Sequence, residues 1–291
     1  LLLFVGCLIT GYIIYTFIYI LWDKWYIAHT ESYGHTDKTS MGYEFLYRAI
    51  CFIILLAIYF SVLMAYYPGV FSYDMIQQTE QAVGYIPLDQ FQPTLHTLIW
   101  KGCLALGGIG GADKRRALEQ AISIYGGIQA VFLAYVISGA LSIIYFKTRL
   151  PQRIAVVLSL LLAFNPIIWI FSIIPTKDVM FGGVLLAYTG RLFVQLYSKE
   201  SVRGHINLIS MSIDILLCCL FRNNAIYAFV MALPFLIMIL YKKNKELLIG
   251  YMAALLSFIL ISKGIYPLFG VEDGDVREKL PLAFMQIASV Y

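Results

Sequence analysis

Apolar residues run through this chain in long blocks separated by polar intervals. Blocks near membrane-spanning length lie at 1–22, 48–66, 118–146, 152–174, 178–197, 206–222, 224–241 and 246–263. A spanning helix needs about 17–25 such residues, so eight spans are predicted. The two runs flanking Arg222 are the shortest. The longest polar intervals are 23–47, 67–117 and 264–291, and none has the pattern of a soluble domain. The predicted fold is all-α, a polytopic transmembrane helix bundle.

Composition narrows the class further. Of 291 residues, 60% are hydrophobic and 13% charged, against about 25% charged in an ordinary soluble domain. Mean hydropathy is +0.78. One globular core of this size cannot hide so much apolar surface. A soluble enzyme, a disordered chain and a disulfide scaffold are excluded, and the lipid bilayer is the implied surrounding. The 22 Tyr and 4 Trp suit rings gathered at two water–lipid interfaces. The net charge of +4 comes from Lys and Arg between the apolar runs, so it reports topology and not a nucleic-acid partner. Five cysteines, an odd number without metal spacing, sit in apolar stretches and read as buried small side chains. The chain opens on Leu1 and stops at Tyr291 within an apolar stretch, so it is expected to be a fragment.

Basic residues set the orientation. Lys147, Arg149 and Arg153 follow one run, Lys199 and Arg203 another, and Lys242, Lys243 and Lys245 a third. These clusters occupy alternate loops, which the positive-inside rule assigns to the cytoplasm. The segments 67–117, 175–178, 222–224 and 264–291 then face outward, and they hold most of the unusual polar residues.

In the first outward loop, Pro68 and Gly69 end a helix and Ser72 is a natural N-cap for a short new one. Asp74 falls in its first turn, where the helix dipole favours a carboxylate. Gln78 and Gln81 share its face. The expectation is an amphipathic interfacial helix with a carboxylate–amide stripe; a water-facing Asp that merely stabilises the helix start is the plain alternative. The segment Gln92-Pro93-Thr94-Leu95-His96-Thr97 opens an apolar run of about 14 residues, too short to span. His96 on it reads as either a structural histidine or a ligand. Thr176 can cap the next helix and place Lys177-Asp178 at its mouth, where a charged step must be paired, used or exposed. Arg222-Asn223-Asn224 follows a run of only 16 residues from Ile206, so Arg222 lies at or just below the outer interface. A guanidinium there can grip phosphate at two points or snorkel to headgroups. Asp214, mid-helix, is either structural or part of a polar path. Glu278 and Gln286 alone are uninformative.

Taken in order, Tyr67-Pro68-Gly69, Ser72-x-Asp74, Gln78, Gln92-Pro93-Thr94-x-His96-Thr97, Lys177-Asp178, Arg222-Asn223-Asn224 and Gln286-Ile287-Ala288 resemble the GT-C superfamily of membrane glycosyltransferases, and within it an uncharacterised bacterial branch. The resemblance covers 48–291, a core truncated at its C-terminus, with 1–47 an extra N-terminal helix and cytoplasmic loop. It implies an integral membrane enzyme of the cell envelope. That enzyme would move a sugar from a polyprenyl-phosphate donor to a glycan, lipid or protein acceptor on the extracytoplasmic face. By that resemblance Asp74 is the general base, Lys177 and Asp178 complete the catalytic set, and Gln78, His96, Arg222, Asn223, Glu278 and Gln286 contact substrate. Many members carry two acids in the first loop, whereas Met75 follows Asp74, which leaves a divalent cation (magnesium or manganese) an open question. A transporter or flippase of lipid-linked saccharide, using the same cations without chemistry, is the alternative from another class.

Overall fold

The computed structural model describes residues 41–148, 150–197, 205–241 and 245–273. The first apolar run, the basic residues Arg149, Lys199, Arg203, Lys242 and Lys243, and the expected contacts Glu278 and Gln286 lie outside the described residues. What is described is helical, with no strand. In chain order the helices are α1 (Met41–Ala65), α2 (Asp74–Val83), α3 (Thr94–Leu106), α4 (Lys114–Ser142), α5 (Gln152–Ala163), α6 (Pro166–Phe171), α7 (Lys177–Tyr197), α8 (His205–Phe221), α9 (Ala225–Leu240), α10 (Lys245–Leu260) and the short α11 (Tyr266–Leu268). Turns of π-helix at Ile143–Lys147 and Ile261–Ile265 extend α4 and α10.

Among the described residues, three helical segments are long and apolar enough to cross a membrane: Gly42–Ala65, Lys114–Lys147 and Lys245–Leu268. Their outer faces, and those of the shorter apolar helices, expose Ile53, Met64, Leu161, Met231, Met238 and Leu256. Apolar faces of this extent suit lipid and not water. The expected runs 178–197, 206–222 and 224–241 are occupied by α7, α8 and α9, of 21, 17 and 16 residues.

The run 152–174 does not form one helix. It breaks at Asn165-Pro166 into α5 and α6 because a residue before proline is pushed out of helical geometry. Asn165 then caps the new helix, accepting from Ile167 N at 2.9 Å. At 1.5 Å per residue the 12 residues of α5 rise about 18 Å, well short of an apolar layer of about 30 Å.

Helix α4 is the axis of the bundle. It packs against α1 on one side and against α3 and α7 on another, while α8 lies between α7 and α10. Two clusters of buried side chains result. One joins α2, α3, α4 and α7–α10 around Trp100, Tyr125, Met211 and Ile215; the other joins α1 to α4 and α5 around Leu55, Tyr59 and Ile137. Gly183 lets α7 approach α4 closely, since a Cβ there would sit 2.4 Å from the Phe132 ring. Small residues of this kind are what allow helix axes to close up in an apolar bundle.

Candidate functional site

The turn after α1 sets the position of α2. Gly69 takes φ of 120°, a conformation that side chains resist. Val70 N reaches Ile173 O at 3.5 Å, and Ser123 Oγ of α4 donates to Pro68 O at 3.1 Å. Helix α2 begins at Asp74 with Tyr73 as its cap residue and no side-chain cap bond. The expected capping by the Ser72 hydroxyl is therefore not formed; the Ser72 carbonyl accepts from Met75 N instead. The helix stops at Gly84, whose φ of 84° gives the left-handed termination that glycine favours.

The polar stripe of α2 faces the protein. Gln78 and Gln81 are buried, whereas Tyr73, Ile76 and Val83 are exposed. The Gln78 amide finds partners at Gln92 and on α3, while Gln81 is bonded through Nε2 alone and its Oε1 is buried without a partner. Gln81 Nε2 donates to Asp89 Oδ1 at 2.9 Å, and Thr79 Oγ1 accepts from Trp100 Nε1 at 2.9 Å.

From Lys177 a single hydrogen-bonded chain runs inward. Thr176 Oγ1 accepts from Asp178 N at 3.2 Å, the expected cap, and so fixes the first turn of α7. Lys177 Nζ donates to Gln92 Oε1 at 2.6 Å and lies 3.5 Å from Asp74 Oδ2. Gln92 Oε1 also accepts from Gln78 Nε2 at 3.3 Å, and Gln92 Nε2 donates to Gln77 Oε1 at 3.2 Å. Gln78 Oε1 meets His96 Nδ1 at 2.7 Å, and His96 Nε2 meets Tyr125 OH at 2.6 Å. An ammonium can only donate, so it orients every group behind it. Gln92 must present oxygen to Lys177, Gln78 must present nitrogen to Gln92, and His96 must carry its proton on Nδ1. Tyr125 then donates to Nε2. Burial first, and the nearby Lys177 charge second, push the His96 imidazole down to about 3. His96 and Gln78 are fully enclosed, with their polar atoms used within the protein.

Asp178, the next residue along, pairs with Arg222 at the end of α8, Nη1 to Oδ1 at 2.8 Å. The Arg222 guanidinium also lies over the Phe181 ring, 5.6 Å from its centroid. Two ion pairs, Asp74–Lys177 and Asp178–Arg222, thus meet at one peptide unit. The Asp74, Asp178 and Arg222 side chains keep 43%, 47% and 51% of their surface exposed, and Lys177 keeps 19%. Asn223 points elsewhere: its Nδ2 donates to Gln90 O at 2.6 Å. Gln90 in turn exchanges bonds with Ser262, accepting at 2.6 Å and donating to its carbonyl at 3.0 Å. The loop before α3 is thereby tied to the far end of α10.

Residues outside the expected set hold this arrangement. Gln129 of α4 donates to both Phe171 O at 2.7 Å and Ile174 O at 2.9 Å, fixing the segment that delivers Lys177. Ser123, Tyr125 and Gln129 therefore tie α4 to three of the four contributing segments, the end of α8 being the fourth. Sequence spacing does not identify their partners, which are distant in the chain.

Toward the other end of the bundle, Asp214 of α8 is ion-paired with Arg191 of α7. The Arg48 guanidinium of α1 lies 4.5 Å from the Tyr135 ring centroid, and Glu44 pairs with Lys147 at 3.0 Å. Asp74 and Asp178 each face a cation, and no three His, Cys, Asp or Glu side chains come together among the described residues. Comparison of the chain with family models, with curated proteins and with solved structures finds no match.

Proposed function

We propose that this chain is a membrane glycosyltransferase that moves a sugar from a polyprenyl-phosphate donor to an acceptor hydroxyl at the outer membrane face. The observation that carries the reading is the paired set Asp74–Lys177 and Asp178–Arg222 at one end of the bundle, beside segments that resemble GT-C motifs. Sugar transfer needs a base within reach of the attacking hydroxyl and cations where the phosphate leaving group gathers charge.

In the proposed reaction the donor phosphate binds at Lys177 and Arg222. Lys177 moves from Asp74 toward the phosphate, which leaves the Asp74 carboxylate free to take the acceptor proton. The acceptor oxygen bonds to the anomeric carbon as the carbon–oxygen bond to phosphate breaks, and the polyprenyl phosphate departs with both electrons. Gln92, Gln78 and His96 orient the Lys177 ammonium from behind. An outward site also suits a lipid-linked donor, since nucleotide sugars are charged, soluble and made in the cytoplasm.

The test is transfer from a polyprenyl-phosphate sugar by the protein in vesicles. Replacement Asp74→Asn keeps the size of the side chain and removes the base, and is expected to slow transfer by about 10²–10⁴. Normal turnover in that variant would remove Asp74 from the chemistry. The flippase reading draws on a different observation, the Arg191–Asp214 pair on α7 and α8, which would belong to a polar path between the two faces. Lipid movement without sugar transfer across a broad donor panel would favour it.

A further inference from the structure

We propose that the cleft between the end of α1 and the start of α4 is a saccharide-binding subsite. Its volume is about 410 Å³, and it is lined by Tyr67, Asp113, Arg115, Arg116, Glu119 and Gln120. It is an open cleft, with Tyr67, Asp113, Arg115, Arg116 and Gln120 exposed to the outside. None of the six belongs to the charged set around Lys177.

The lining selects the class of ligand. Arg115 and Arg116 balance Asp113 and Glu119, so the cleft has no net charge to recruit a phosphate or a metal cation. It is also nearly free of aliphatic surface, which rules out a lipid tail. Five planar polar groups, two guanidinium, two carboxylate and one amide, offer donors and acceptors side by side. Adjacent hydroxyls of a sugar ring present the same alternation. Tyr67 supplies the remaining element, a ring that is 59% exposed. Its flat face suits the C–H face of a pyranose, and its hydroxyl can bond outward.

The bonding within the cleft leaves groups available. Arg115 is held by Glu119 at 3.1 Å, and Asp113 Oδ1 accepts from Arg116 N at 3.0 Å. Among the described residues, the Arg116 guanidinium, the Gln120 amide and the Tyr67 hydroxyl have no hydrogen-bond partner in the protein. Helix α4 links the cleft to the charged set. Ser123, one turn beyond Glu119, bonds the Pro68 carbonyl next to Tyr67. Tyr125, about 9 Å along α4 from Glu119, begins the chain that ends at Lys177. A glycan of a few residues seated on Tyr67 would extend toward Asp74. Its role as the acceptor subsite rests on the glycosyl-transfer reading; the binding does not.

The test is saturation-transfer NMR on the protein in nanodiscs with maltotetraose, chitotetraose and mannotetraose. At least one is expected to bind. Its affinity should fall about tenfold in Tyr67→Ala and be largely retained in Tyr67→Phe. Binding of none of the three, or binding indifferent to Tyr67→Ala, would overturn the proposal. In the transfer assay Tyr67→Ala should raise the acceptor KM while kcat is kept. Glycan binding that depends on Tyr67, in a wild type that transfers no sugar, would uphold the cleft and remove the glycosyltransferase reading.

Discussion

The Lys177 ammonium stands 3.5 Å from the Asp74 carboxylate, yet its shorter contact, 2.6 Å, is to the neutral Gln92 amide. A carboxylate this close but not tightly bonded is one that a competing anion can replace at Lys177 at small cost. A loosely held, partly exposed pair of this kind contributes about 1 kcal/mol. The amide contact has a different consequence. It stays with Lys177 whichever anion occupies the front, because Gln92 is itself held by Gln78 and Gln77.

Gln92 should therefore matter to function more than its neutral side chain suggests. Gln92→Leu removes the acceptor that fixes the ammonium and leaves the Gln78 amide without its partner. Transfer by the vesicle-embedded protein is expected to fall about tenfold, through donor KM, with Asp74 chemistry unchanged. A normal donor KM in Gln92→Leu would show that Asp74 alone positions Lys177.

Much of the helical layout is written in the apolar runs, since a stretch like 118–146 has no way to satisfy its backbone in an apolar environment except as a helix. The site is legible only in part. Asp74, Lys177, Asp178 and Arg222 stand out as charges next to apolar runs, but Asp74 and Gln78 at helical spacing fit equally a solvent-facing stripe and one turned toward α3. Only the partner helix decides between them. Gln129 is a polar residue inside a spanning run, a visible signal whose target, the carbonyls of Phe171 and Ile174, lies too far along the chain to infer. The break at Asn165-Pro166 was present in the sequence, but hydropathy alone passes over it.

Gln129 gives a second prediction. Gln129→Leu preserves the bulk of the side chain, takes the donor from two partly buried carbonyls and removes the Gln129 Oε1 that is itself buried without a partner. The loss of a hydrogen bond to partly buried carbonyls costs about 1 kcal/mol, so the unfolding midpoint in detergent should fall slightly. Activity should fall further than this loss explains, because the segment carrying Lys177 and Asp178 loses its anchor. Activity that tracks the folded fraction alone would reduce Gln129 to a structural role.

Arg222 separates charge from geometry. Arg222→Lys keeps the positive charge but loses the planar fork that bonds Asp178 and can grip phosphate at two points, as well as its stacking on Phe181. Donor affinity should weaken more than the limiting rate. Steady-state kinetics with varied donor checks this, and a fall in the limiting rate with donor KM unchanged would argue for a role confined to the transition state.

His96 makes stability depend on pH. Its folded-state value of about 3 lies below an unfolded value of about 6.5. The unfolded chain then binds the proton that the folded chain refuses. The contribution is complete above about pH 6.5 and is lost as pH falls toward 3, by about 1.4 kcal/mol per pH unit. Thermal unfolding of the purified protein should show that decline between pH 6.5 and pH 5. In His96→Gln this share of the decline should vanish; an identical slope in both proteins would place the effect on other groups.

The pair Arg191–Asp214 lends itself to a double-mutant cycle. Asp214 keeps only 10% of its side-chain surface exposed and Arg191 31%, so removing one partner strands the other in an apolar layer. Asp214→Leu alone should destabilise by about 3 kcal/mol, at the low end of values for broken buried pairs because Arg191 retains some access to solvent. The double variant Arg191→Leu with Asp214→Leu should recover most of that loss, since two packed apolar side chains replace the pair without a desolvation cost. Unfolding midpoints of the four proteins measure the coupling directly. The same double variant discriminates function. A glycosyltransferase whose chemistry lies at the Lys177 end should keep transferring sugar once stability is restored, whereas a flippase that moves charge past α7 and α8 should lose lipid movement while remaining folded.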